Sequence, residues 1–315
     1  MPERSKTRGV YQFAVVTCCS TVLLLMAGAL VTSNKAADSV PDWPLAYGRL
    51  IPPMIGGIRF EYTHRVLAGI VSVLVLLLAI FVTAKESRPL AKKLGWTALV
   101  LVICQAVLGG IRVIEGHPAI SATAHAILAQ IFFSTLVGLA LYLSPWWQRE
   151  HTLLEDSGSP SVTSLALYTT AAIFIQLILG AGFRHGAFGV MPHLTGALVV
   201  SALVIWTGRS VRKRFGSVRD LRRWGIFLQA FWGTQILLGV ADYWVILKNP
   251  NPVQPSLLYV CLSTAHVLVG ALMLAASLIL TISCYHIIRP GFSAAGDLPA
   301  RRRATAGGSP ERAGV

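Results

Sequence analysis

Eight apolar stretches, at roughly 11–33, 62–84, 94–114, 121–143, 162–183, 190–208, 224–246 and 257–284, set what this chain can fold into. Each is near the ~20 residues that cross about 30 Å of hydrocarbon as a helix. In lipid every backbone N–H and C=O must be satisfied internally, so runs of this length are helices; barrel strands are shorter and alternate in polarity. Composition agrees: of 315 residues 54% are hydrophobic and 13% charged, and mean hydropathy is +0.64. A soluble domain carries about 25% charged residues. A single water-exposed core, a disordered chain, a coiled coil, collagen and a disulfide-stapled secreted domain are thereby excluded. The fold class read from the sequence is an all-α membrane protein with eight transmembrane helices.

The net charge of +14 raises nucleic acid or anionic lipid as a partner. The basic residues, however, cluster in a few loops, as the positive-inside rule requires without any partner. With a cytoplasmic N-terminus, segments 1–10, 85–93, 144–161, 209–223 and 285–315 lie inside and hold 20 of the 27 Lys and Arg. The expectation is a multi-pass protein of the cell membrane with both termini cytoplasmic, the lipid bilayer as its surroundings and no nucleic acid. The first run exceeds the 7–15 residues of a signal-peptide core and has no clear cleavage site, so it reads as a retained helix. Cys18, Cys19, Cys104, Cys261 and Cys284 all fall in or beside apolar runs and read as packing residues.

An internal repeat underlies this layout. "QAVLGG" at 105–110 recurs as "QILLGV" at 235–240, and "SATAHAILA" at 121–129 as "LSTAHVLVG" at 262–270. The offsets agree: Gln105 to Gln235 is 130 and His64 to His193 is 129, while His125 to His266 is 141 because the "KNPNPVQP" loop is longer. "QLILGA" at 176–181 stands opposite "LMAGAL" in the first helix. The expected organisation is a cytoplasmic N-terminus (1–10), an N-terminal four-helix bundle (11–143), a linker (144–161), a C-terminal bundle (162–284) and a disordered basic tail (285–315). Four helices per unit is even, so the two bundles share one orientation.

Four histidines lie inside the apolar runs, each near the outer start of an even-numbered helix: His64, His125, His193 and His266. Two imidazoles at equal depth on neighbouring helices suit one iron approached from opposite faces. A lone intramembrane histidine more often bonds a neighbouring helix, and four-coordinate zinc is a further possibility, though it more usually recruits Cys or closely spaced His. Four at matched depth, repeated, favour two bis-imidazole haem sites. Glycines in "LGG", "LTGAL" and "LVGAL" would let a flat macrocycle approach, and are also ordinary packing sites. Glu61, one turn before His64 in "EYTHR", is either a functional carboxylate or a helix N-terminal acid favoured by the dipole. Arg65 and Arg184 are candidates for haem propionates or interfacial anchors. His117, His151, His185 and His286 read as solvated or interfacial.

The chain resembles the haem A synthases. The resemblance is carried by "GALVTS" (28–33), "PDWPLAYGRLIP" (41–52), "EYTHRVLAG" (61–69), "QAVLGG" (105–110), "TAHAILA" (123–129), "QLILGAGFRH" (176–185), "PHLTGA" (192–197) and "STAHVLVGA" (263–271). It implies oxidation of the C8 methyl of haem O to the formyl of haem A by two successive hydroxylations, in service of a haem-copper oxidase. It further implies a haem b cofactor whose iron is held by His193 and His266. His64 and His125 would lie near the substrate iron, with Glu61 taking part in the oxidation. Haem O synthase and oxidase assembly factors are the partners the likeness suggests. Many members carry a cysteine pair in the first outer loop, where this chain has Val40 and Ala46, and often another between helices 5 and 6, where the short loop 184–190 has none. The chain therefore looks like a cysteine-less branch. Two other readings share parts of this pattern. A dihaem b-type electron-transfer cytochrome would use the four histidines without Glu61. A transporter would use the duplicated bundles, but the paired broken helices of such folds are not apparent.

Overall fold

The computed structural model describes residues 2–116, 118–250 and 253–290. Eight helices are present: α1 (Pro2–Ser33), α2 (Ile58–Lys85), α3 (Pro89–Ile114), α4 (Ala119–Leu143), α5 (Val162–Arg184), α6 (Met191–Phe215), α7 (Arg219–Lys248) and α8 (Leu257–Ile287). All eight are long and apolar enough to cross a membrane. Their ends carry the expected stop and start chemistry. Ser161 and Ser256 cap α5 and α8 by accepting from the Ser164 and Tyr259 amides. Prolines occupy the first positions of α3 and α6, where an N–H has no intrahelical partner.

Helices α1 to α4 form one closed bundle, each packing on its chain neighbours and α1 on α4; α5 to α8 do the same. Each bundle has its own buried cluster, one around Val75, Leu78, Leu136 and Leu139, the other around Val204, Leu228, Leu274 and Leu280. The bundles meet along α1, α4, α5 and α8, where Phe133 and Val137 pack on Ala271 and Ala275. This seam makes α8 the inner helix: 61% of its apolar window is buried, against none of α7's. With no hydrophobic drive between helices in lipid, small residues and hydroxyls supply the contact. Thr169 bonds Thr207 at 2.7 Å between α5 and α6, and Thr170 reaches Ser277 and Thr281 of α8 at 2.7 and 2.8 Å.

Two stretches differ from the expected layout at the end opposite the four histidines. The basic run 209–223 is mostly helix, with α6 running on to Phe215 and α7 starting at Arg219. Arg212, Lys213 and Arg214 fall in the last turn of α6, where the helix dipole favours cations. The linker and the start of the tail are also ordered. Leu154–Asp156 (β1) pairs in parallel with Ile288–Pro290 (β2), after Tyr285–Ile287 complete α8. Asp156 caps the Val162 amide and takes Arg214 Nη1 at 3.2 Å. Glu86 is clamped by Arg88, whose hydrogen bonds hold its carboxyl below the usual range. His286, expected at the interface, stacks on Trp147 with ring centroids 4.0 Å apart, and His151 stands 5.3 Å from it. The expectations for His117 and for the tail past Pro290 lie outside the described residues.

Candidate functional site

The four histidines sit in four similar hairpins, and each ring lies against a glycine on the preceding helix. A Cβ on Gly28 would stand 3.1 Å from His64 Cε1, and one on Gly109 3.2 Å from His125 Cε1. At Gly180 and Gly239 the corresponding distance to His193 and His266 is 2.9 Å, closer than real Cβ atoms come. These glycines, in the repeated "LMAGAL", "QAVLGG", "QLILGA" and "QILLGV" pieces, are the ones the histidines need. Those of "LTGAL" and "LVGAL" do other work: Gly196 makes room for Gln176, and Gly270 for Gln235 and Leu177. One turn before three of the cradling glycines stands a glutamine. Gln105 donates to the His125 carbonyl (2.9 Å), Gln176 to the His193 carbonyl (2.8 Å), with its amide also 3.1 Å from His193 Nδ1, and Gln235 lies 3.1 Å from His266 Nε2. In α1 this step is Leu24.

The second pair is tight. The His193 and His266 rings are 6.2 Å apart, centroid to centroid, at 78° to one another. Imidazoles on opposite sides of one metal, each nitrogen about 2 Å from it, have centroids about 6 Å apart. Each ring also keeps a nitrogen with no protein partner: Nδ1 of His64, His125 and His266 is buried and unpaired, and His193 Nε2 makes no hydrogen bond among the described residues. Such atoms are costly in an apolar interior unless something binds them. These residues therefore fit a haem iron. Among the described residues no group of three or more His, Cys, Asp and Glu comes together, so a structural zinc site is not built. The first pair is looser; His64 and His125 interact electrostatically but make no ring contact.

Above the first pair the α1–α2 loop is folded down and pinned. Glu61 is buried, with Oε1 2.6 Å from Arg65 Nη2 and Oε2 accepting the Val40 amide at 3.0 Å. Arg65 also donates to the carbonyls of Asp42 (2.7 Å), Leu45 (3.0 Å) and Val40 (3.2 Å). The Tyr62 hydroxyl donates to the Leu50 carbonyl at 2.6 Å. The Trp43 ring lies flush on Gly110, where a Cβ would fall 2.7 Å from it. Within the loop, the amides of Gly48 and Tyr47 bind Asp42 and hold its carboxyl below the usual range. Val40 and Ala46, at the positions expected for cysteines, are both buried in this loop.

Near the histidines stand further charged groups. Arg184 donates to Ser263 of α8 and to Ser33 and the Ala29 carbonyl of α1, stitching the two bundles together. Asp242, three residues after Gly239, interacts electrostatically with Arg184 and bonds Ser263, and its Oδ1 is buried without a partner. His185, expected as a solvated loop residue, is half-buried; desolvation, then the charges of Arg112 and Arg184, push it down to about 4, so its imidazole is neutral near pH 7. Arg112 is likewise half-buried, and its Nε has no partner. Asp242 and Arg112 carried a legible signal, a charge one turn past a repeated glycine.

Comparison with known proteins identifies the family. The COX15-CtaA model, described as cytochrome oxidase assembly protein, matches residues 58–191, which include Glu61, His64, His125 and Arg184. A haem A synthase of Halalkalibacterium halodurans is 34% identical over 76% of this chain and 78% of its own length. One from Alkalihalophilus pseudofirmus is 32% identical over 45% of this chain, spanning about half (48%) of that relative. One from Symbiobacterium thermophilum is 26% identical over 71% of this chain and 83% of its own length. With eight membrane-length helices and a relative 34% identical over most of both chains, the chain belongs to the haem A synthase family.

Proposed function

We propose that this protein oxidises haem O to haem A within the membrane, hydroxylating the C8 methyl twice so that the geminal diol loses water to leave a formyl group. The observation that carries the reading is the pair of histidine sites at one end of two packed bundles, one with its rings in contact and one without. The tight pair, His193 and His266, suits a resident haem b. The pair without ring contact, His64 and His125 under the pinned loop beside Glu61, suits the substrate haem. Haem bound at the tight pair supplies one-electron transfer; the protein supplies position, a dry pocket and fixed charges. Glu61, one turn from His64, is the carboxylate placed to move protons during the oxidation. The histidine end faces outward and the basic end, with both termini, faces the cytoplasm, in the plasma membrane. The product serves a haem-copper oxidase, with haem O synthase and oxidase assembly factors as partners.

The decisive experiment is chromatography of haems extracted from the protein purified out of cells that also make haem O. The expected result is haem b together with haem A or its alcohol precursor. Haem b alone, with haem O untouched, would establish an electron-transfer cytochrome instead.

The glycine cradles give a graded prediction. Gly180→Ala and Gly239→Ala place a methyl where His193 and His266 already sit, so haem occupancy of the purified protein should fall by at least about half and the low-spin signal in electron paramagnetic resonance should shift. Gly28→Ala and Gly109→Ala, with a few tenths of an ångström more room, should leave resident haem unchanged.

A further inference from the structure

We infer that Arg112 is the carboxylate clamp of the first histidine site, binding a propionate of the substrate haem; this rests on the function proposed above. A haem carries two carboxylates, and in an apolar surrounding each needs a cation that is itself free to donate. Arg65 and Arg184 are the obvious candidates from sequence, and the structure removes both. The Arg65 guanidinium is committed to Glu61 and three loop carbonyls. Arg184 is committed to Ser263, Ser33 and the Ala29 carbonyl. Arg112 is different: it makes no hydrogen bond among the described residues, and its buried Nε is unpaired.

Its placement points the same way. Arg112 follows Gly109 by three residues, so it leaves α3 on the face that cradles the His125 ring. It interacts electrostatically with His64, His125 and His185, and with the carboxylates of Glu61 and Asp38. Glu61 does not satisfy its N–H groups, because both Glu61 oxygens are taken by Arg65 and the Val40 amide. At the same step past the glycine, the tight site has Asp242. The second pair has a cation too, Arg184, but one already committed to Ser263, Ser33 and the Ala29 carbonyl, so the uncommitted cation stands at the first pair. A planar fork of N–H donors is suited to a carboxylate.

The test is optical titration of the purified full-length protein, resident haem in place, with haem O and in parallel with haem O dimethyl ester, whose carboxylates are blocked. Wild type should prefer the acid. Arg112→Gln should weaken the acid by about ten- to a hundred-fold, the worth of charge-assisted hydrogen bonds, and leave the ester unchanged. Arg112→Lys should fall between, and the resident-haem spectrum of each variant serves as the control for folding. Haem O binding in Arg112→Gln equal to wild type overturns the clamp. Equal weakening of acid and ester also overturns it, marking Arg112 as a packing or lipid-phosphate residue. His64→Ala and His125→Ala separate the two claims. If both bind haem O normally, the placement of the substrate fails; if both lose it while Arg112→Gln does not, only the clamp fails.

Discussion

His193→Ala and His266→Ala, each alone, should yield a purified protein without its resident haem, while His64→Ala and His125→Ala keep that haem and lose haem A formation. The asymmetry follows from the two geometries. At the tight site the rings are set 6.2 Å apart before anything binds, each fixed by a glycine behind it and a glutamine beside it. Two such ligands act together, and removing either gives up a metal bond together with the preorganisation of the other. The first pair has no ring contact; beside His64 the glutamine of the other hairpins is replaced by Leu24, whose backbone bonds the His64 ring, and Gln105 reaches only the His125 carbonyl and not its ring. With the resident haem placed at the other pair, loss of His64 or His125 should read out in turnover. Absorbance of the reduced pyridine adduct, per mole of protein, measures the resident haem. Equal loss of haem b from all four variants would mean that the second bundle is not its dedicated site.

The frame was legible because lipid leaves so few choices. Apolar length alone located all eight helices. What could not be read was which polar groups cancel one another. Arg65 and Arg184 look alike on paper, as charges near one end of a helix. In space one pins a loop and the other stitches two bundles, through backbone carbonyls that no side-chain pattern encodes. His185 looks like a loop residue because it follows α5, yet the contact between bundles half-buries it among arginines. The pairing of β1 with β2 was equally hidden: three-residue strands from segments more than 130 positions apart (Leu154 to Ile288) have no period to detect. The glycines show the opposite case, where a repeated motif was visible and only the partner of each glycine needed coordinates.

Glu61→Gln should bind haem O and resident haem as wild type does and form haem A at a rate lowered by at least about 10²–10⁴-fold, the range a positioned acid–base group contributes. The substitution preserves shape. A glutamine carbonyl still accepts from the Val40 amide, and Arg65 keeps its bonds to the carbonyls of Val40, Asp42 and Leu45, so the loop stays over the site. What goes is the ionisable group one turn from His64, and with it the ion pair to Arg65. A purely structural Glu61 would behave otherwise, because its work would then be to hold Arg65 and through it the loop. Arg65→Gln isolates that work: it strips the loop of the same cation while leaving the carboxylate. Loosening of the loop should show first as weaker haem O binding with turnover of bound substrate retained. The two variants therefore part company on single-turnover kinetics with haem O pre-bound, Glu61→Gln stalled and Arg65→Gln proceeding. Full activity in Glu61→Gln would refute its part in the oxidation, and matching defects in both variants would reduce it to the loop's anchor.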